Sequence, residues 1–312
     1  MDVAAELNEI RARLTSLEQG KTDWLTVKEM IRSSVLQPPL DQPSLPADAP
    51  FMQHSNCVAE DFLHPRYFQL CKLIEQTPTW HRKQWEYVFI LHHLERTGML
   101  RPGKKGVGFG VGIEPLPSAY ARLGANVLGT DAPEEIGQTA GWVAGNEHSH
   151  KLSDMRMGWI PEDLFYERVS YQPCDMNNID SDIADFDFSW SSCCFEHLGT
   201  IGKGLDFVRN SVEQCLKIGG IAVHTTELNM SSDTQTVEES VETVLYRKSD
   251  LMTFADEMRA RGHEVEPILI GPNAHALDFH VDVPPYSQNP HLRLQLAGFV
   301  TTSAGLVIRR GA

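Results

Sequence analysis

The 312-residue chain is 41% hydrophobic and carries 42 acidic against 27 basic residues, a formal net charge of −15. That balance disfavours nucleic acid as a partner, because every phosphate contact asks for a local cation. No apolar run approaches membrane-spanning length and no basic-then-apolar leader opens the sequence, so the expectation is a cytoplasmic protein without a membrane span.

Val3, Leu7, Ile10, Leu14 and Leu17 alternate at four- and three-residue spacing, the pattern of a two-heptad amphipathic helix stopped near Gly20. Two heptads are too short to fold alone. Residues 1–36 are therefore read as a helical segment, with homo-oligomerisation through residues 1–20 as one way to cover the apolar stripe. Five prolines (Pro38, Pro39, Pro43, Pro46, Pro50) make residues 37–50 an extended linker and a domain boundary. From Phe51 to Met99 the periodicity is mainly helical, with Trp85, Val88, Phe89 and His92 on one face and Gly98 as a stop. The six cysteines lack Cys-x-x-Cys spacing and read as reduced, mostly buried thiols.

A strand over Gly106–Phe109 runs into glycines at 106, 108, 110 and 112. The following helix places Leu116, Ala119, Tyr120 and Leu123 inward and ends at Gly124, and a second strand over Asn126–Thr130 leads to Asp131. A glycine turn lets a ligand approach the backbone, and a carboxylate at the next strand tip suits the two donors of a ribose edge. A dinucleotide site would want a third glycine where Val111, Ile113 or Pro115 stands, and Glu114 would repel a pyrophosphate. The pattern favours a nucleoside cofactor with no phosphate and a cationic end.

Further along, Phe186–Trp190 reads as a strand. Leu205, Val208, Val212, Cys215 and Leu216 mark a helix closed by Gly219 and Gly220, and Ile221–Val223 begins another strand. Ser249 is placed as the N-cap of a helix with Leu251, Phe254, Ala255 and Met258 inward, ending at Gly262. Val265–Ile270 and Phe299–Arg309 complete the strands. This alternation predicts an α/β doubly wound, mainly parallel sheet within residues 51–312. Segments 134–170, 229–245 and 271–298 interrupt it and are read as lid insertions over the carboxyl edge.

Taken in order, the glycine run, Asp131, Gln172-Pro-Cys-Asp175-Met176, the Asp187 to Glu196-His197 stretch and Lys217-Ile-Gly-Gly220 resemble the landmarks of class I S-adenosylmethionine-dependent methyltransferases, over residues 80–310. The resemblance implies a seven-stranded Rossmann-like sheet and S-adenosylmethionine as cofactor. It assigns cofactor contacts to Gly108, Gly110, Gly112, Asp131, Ala132 and Ser191, with Asp175 on the adenine amino group and Met176 on the ring. One departure is Gly106, which replaces the acidic residue that commonly precedes the glycines. Glu114 is the carboxylate available in its place.

The same sheet order puts strands four and five side by side, so Glu196 and His197 are expected to face His224 and Glu227. These four are the catalytic candidates, with His197 or His224 as general base and a neighbouring glutamate fixing its tautomer. Some relatives hold a divalent ion with a Glu-x-x-Glu-His segment. Here Cys193 stands at the first glutamate, so a divalent metal is possible but is not predicted. The acceptor suggested by the acidic chain, the His-bearing insertions and a similarity to bacterial polysaccharide enzymes is a sugar, glycan-precursor or other small polar hydroxyl. Two alternatives remain open at this level: a nicotinamide-dependent oxidoreductase, and a non-catalytic scaffold of the same fold.

Overall fold

The strands are β1 (Lys105–Phe109), β2 (Asn126–Asp131), β3 (Val169–Pro173), β4 (Phe186–Ser192), β5 (Leu216–Asn229), β6 (Glu264–Val265), β7 (Val281–Asp282), β8 (Arg293–Leu296) and β9 (Phe299–Arg309). The computed structural model describes residues 15, 40–134 and 148–312. The predicted helical segment 1–36 and its oligomerisation therefore lie, Thr15 apart, outside the described residues, as do positions 135–147 of the first insertion.

One sheet runs β3-β2-β1-β4-β5-β9-β8-β7, with β6 also pairing to β9. The first five of these are parallel neighbours, β7 pairs with β8 in parallel, and β9 is antiparallel to β5, β6 and β8. The architecture is thus the α/β, doubly wound, mainly parallel Rossmann-like sheet that the sequence predicts, built from nine strands rather than seven. The extra strands come from residues 271–298, which carry β7 and β8 beside a short helix (Ala276–Phe279).

Helices cover both faces, which is why the central strands are apolar on both sides. On one face pack α1 (Ala59–Phe62), α2 (Pro65–Leu73), α3 (Arg82–Arg96), α4 (Leu116–Arg122) and α5 (Glu162–Arg168). The other face holds α6 (Ile201–Glu213) and α7 (Lys248–Ala260). Trp85, Val88, Phe89 and Leu94 of α3 are buried, each contributing about 1.5–3 kcal/mol of burial as an upper bound. Residues 40–50 run without regular structure and are pinned where Ser44 and Leu45 donate N–H to the Leu63 carbonyl.

Local departures from expectation have clear causes. Helix α6 stops at Glu213, and Gly219 and Gly220 lie inside β5, where the register to β4 slips between Phe186↔Leu216 and Phe188↔Ile221. That irregularity uses the positive φ (79°) of Gly219 and is held by Arg310. Helix α7 begins after Arg247, whose backbone N–H and guanidinium donate to the Asp250 carboxylate, so Ser249 is not the cap. The predicted strand Val265–Ile270 shrinks to Glu264–Val265, because the same edge of β9 is taken beyond Val307 by Ser55–Cys57, which exchange backbone hydrogen bonds with Ser303 and Gly305. Among the described residues, no helix is long and apolar enough to cross a membrane.

Candidate active site

The parallel strands end on one edge of the sheet, where the chain opens a cleft of about 490 Å³, a volume suited to a small-molecule ligand. The turn between β1 and α4 forms its floor. Gly110 and Gly112 adopt positive φ (58° and 52°), a region strained for any Cβ, and both line the cleft. Asp131, at the tip of β2, closes the turn. Its Oδ2 accepts the N–H of Gly112 at 3.1 Å and of Ser149 at 2.9 Å, and its Oδ1 accepts that of Ala132 at 2.8 Å. Burial holds this carboxyl above the usual carboxylate range, against the pull of those three donors. A carboxylate offers about four acceptor positions. A ribose diol would therefore form both its bonds by displacing one of these N–H groups.

Gly106 and Gly108 serve the core. Each lies in β1 opposite a ring of β4, and a Cβ would stand 2.2 Å from Phe188 at position 106 and 2.3 Å from Trp190 at position 108. Gly108 does not line the cleft, which corrects its assignment as a cofactor contact. The same packing explains why no acidic residue stands at position 106. Glu114 does line the cleft: Oε1 accepts the Trp190 indole N–H at 2.6 Å, and Oε2 makes no hydrogen bond among the described residues. Burial pushes its carboxyl up to about 8, partly offset by that indole N–H and by Lys83. Met176 faces the cleft as expected. Asp175 does not, because its Oδ1 accepts the Asn177 N–H at 2.9 Å and caps a turn.

Glu196 and His197 sit on a single 3-10 turn (Phe195–His197) after β4, and both line the cleft with Glu227 of β5. The His197 Nδ1 donates to the Glu242 carbonyl and lies 3.1 Å from the Thr243 hydroxyl, which fixes a proton on Nδ1 and leaves Nε2 as the nitrogen that can act as a base. A backbone carbonyl, not a glutamate, orients the ring. Glu196 is buried, accepts from Thr226 Oγ1 at 3.1 Å, and is held above its usual range by that burial.

His224 is a correction. It is fully buried, with Nδ1 2.8 Å from Ser191 Oγ and Nε2 2.9 Å from Ser211 Oγ, and burial pulls it down to about 3. Neither His224 nor Ser191 lines the cleft. With both ring nitrogens occupied and no contact with the ligand space, His224 has no place as a base, and Ser191 serves as its partner rather than as a cofactor contact.

Sequence reasoning missed the far wall, which is the first turn of α3. The His81 Nδ1 accepts the Lys83 N–H at 3.1 Å and caps the helix, directing Arg82 and Lys83 into the cleft. Two cations at a helix N-terminus oppose its dipole, so they need anionic partners. Arg82 Nη1 donates to Glu227 Oε2 at 2.5 Å and to Ser303 Oγ at 3.1 Å. The Lys83 Nζ reaches Glu86 Oε2 at 2.7 Å and the Ser192 carbonyl at 3.2 Å. Glu86 is fully buried, and chiefly Lys83 and Arg82 overcome its burial to draw its carboxyl down to about 2.

Cys193, Glu196 and Glu227 offer three metal-type atoms within 4.8 Å of one another. They do not fit a divalent ion well. Burial holds the Cys193 thiol well above its usual range, and the Arg82 guanidinium already neutralises Glu227. An ion would have to compete with the Arg82 guanidinium for Glu227.

No protein-family model matches this chain, and no curated protein matches it. Among solved structures it is similar to the methyltransferase domain of bacterial CtHen1, at 14% identity over 70% of this chain and 95% of that one, with a TM-score of 0.43. It is similar also to phosphoethanolamine N-methyltransferase 2 of Haemonchus contortus in complex with S-adenosylhomocysteine (17% identity, 71% and 52% coverage, TM-score 0.44). A third is an S-adenosylmethionine-dependent methyltransferase of Clostridium acetobutylicum (10% identity, 74% and 92% coverage, TM-score 0.40). Likenesses this distant say nothing about activity.

Proposed function

We propose that the chain is an S-adenosylmethionine-dependent methyltransferase acting on a hydroxyl of a small polar acceptor, with sugars and glycan precursors as the candidate class. The observation that carries this reading is the order of groups along one sheet edge. Met176 stands beyond β3, Asp131 at β2, the Gly110–Gly112 turn at β1, Cys194 after β4 and Glu227 at β5. An adenosine laid across that edge meets an apolar side chain at its base, a carboxylate at its ribose and bare backbone beneath its amino-acid end. The β4–β5 end is then left for the acceptor.

When bound, the cofactor supplies a methyl group on a positively charged sulfur. Glu114 Oε2 is placed to take the ammonium of the amino-acid end, and Lys83 the carboxylate. His197 takes the acceptor proton at Nε2, with its Nδ1–H held by Glu242. The protein's main contribution is alignment, since methyl transfer is an in-line displacement.

Glu114 provides the test. With its carboxyl near 8 in the free protein, it is protonated at pH 7, whereas pairing with an ammonium requires the carboxylate. Binding of S-adenosylhomocysteine at pH 7 is expected to release close to one proton, falling toward zero as the pH rises past 9. Calorimetry in two buffers of different ionisation enthalpy measures this directly. Binding with no proton release at pH 7 removes Glu114 from that role, and no binding at all removes the cofactor.

A further inference from the structure

Resting on the methyltransferase reading, the geometry points to a carboxylate on the acceptor, held by Arg82 through its Nε–H and Nη2–H edge. The guanidinium has two useful edges, and its Nη1 is committed to Glu227 and Ser303. Nε and Nη2 make no hydrogen bond among the described residues, and neither belongs to the buried polar atoms that lack a partner, so this edge opens to solvent. Arg82 lines the cleft with its side chain 16% exposed. Parallel N–H groups on one edge are the donor pair that matches a carboxylate in bidentate fashion.

The position is that of an acceptor site. Glu227, which fixes the guanidinium, lies within 4.8 Å of Glu196 and Cys193, beside His197 and on the β5 side of the edge. Asp131 and the glycine turn lie on the β1–β2 side. A carboxylate on Arg82 therefore places the rest of the acceptor between Arg82 and His197, where its hydroxyl meets the base.

Local charge selects among anions. Arg82 is shared with Glu227, and Lys83 with Glu86, while Glu196 adds a third carboxyl to the same wall. A monoanion on the Nε–H and Nη2–H edge adds the smallest charge that an anion can bring beside Glu227. A phosphate dianion brings a second charge close to Glu196 and Glu227 and is disfavoured. The acceptor class is thus a hydroxylated carboxylic acid, of which a sugar acid is one form.

The test uses the full chain saturated with S-adenosylhomocysteine and probes it with acetate, inorganic phosphate and glucose by saturation-transfer NMR. Acetate is expected to bind, with phosphate and glucose at least tenfold weaker. Arg82→Gln should lose acetate binding. Because that change leaves Glu86 and Glu227 short of a partner, Arg82→Lys serves as the second variant: it keeps the charge, removes the fork, and should weaken acetate at least tenfold with S-adenosylhomocysteine affinity unchanged. Acetate that fails to bind the wild-type chain, binds either variant as tightly as the wild type, or is outbid by phosphate or glucose overturns the proposal. A further arm uses 5′-methylthioadenosine, which lacks the amino-acid end. Acetate binding to that complex but not to the S-adenosylhomocysteine complex would assign Arg82 to the cofactor's own carboxylate and equally overturn it. Failure of both nucleosides to bind strikes the methyltransferase reading instead, while acetate on the free chain still reports on Arg82.

Discussion

Replacing Asp131 by alanine is expected to weaken S-adenosylhomocysteine binding by about 10²- to 10⁴-fold, since two hydrogen bonds to a charged acceptor contribute about 1.5–3 kcal/mol each. The carboxylate has a second duty. It accepts the N–H groups of Gly112, Ala132 and Ser149, so its loss also loosens the turn on which the methionyl end would rest. Asp131→Asn keeps one acceptor oxygen and is expected to fall between the two. Calorimetric titration of the three chains measures the series, with thermal melts to separate lost folding from lost binding. An alanine variant that folds and binds within threefold of the wild type removes the ribose from Asp131.

The second large effect is on stability. Gly108→Ala puts a methyl group 2.3 Å from the Trp190 ring and 2.7 Å from Val111, inside the sheet. Overpacking of that kind costs about 1–3 kcal/mol. Moving the indole also breaks its hydrogen bond to Glu114, which adds about 1–3 kcal/mol for a buried group left unpaired. Together these should lower Tm by on the order of 10 °C for a domain of this size. Trp190→Phe in the same background removes the atoms that clash, so the double mutant should be less destabilised than the sum of the two single changes. Strict additivity would show that position 108 is not governed by the ring.

How much of this could be read from the sequence differs by element. The sheet was legible because strand and helix signals alternate from position 105 onward, and the turn at Gly110–Gly112 and the position of Asp131 follow from glycine and acidic residues whose chemistry is local. His224 was misread because β5 was expected to end at Val223. Pairing along the whole of β9 carries it to Asn229, and within one strand His224 and Glu227, three positions apart, face opposite sides. Tertiary pairing set that length. The same holds for Ser191, which β4 turns toward His224.

The far wall was hidden for another reason. Arg82 and Lys83 precede the sheet by more than twenty positions, and the pairing of Arg82 with Glu227 crosses 145 residues. One signal was present: Glu86 is the one acidic residue buried on a helix whose inward positions are mostly apolar, Trp85, Val88 and Phe89 among them. A glutamate there needs buried cations, and Arg82 and Lys83 sit four and three residues before it. By contrast Asp175 could not be placed from sequence, since a turn-capping aspartate and an adenine-binding one share the same local pattern.

The claim on which the rest stands is that the cleft accepts an adenosine bearing an amino-acid tail. Parallel titrations of the full chain with S-adenosylhomocysteine and with NAD, under identical conditions, test it most directly. The account predicts one site for S-adenosylhomocysteine, abolished or severely weakened by Asp131→Ala, and no measurable NAD binding. Saturable binding of NAD in preference to S-adenosylhomocysteine, or affinity for neither, would contradict it.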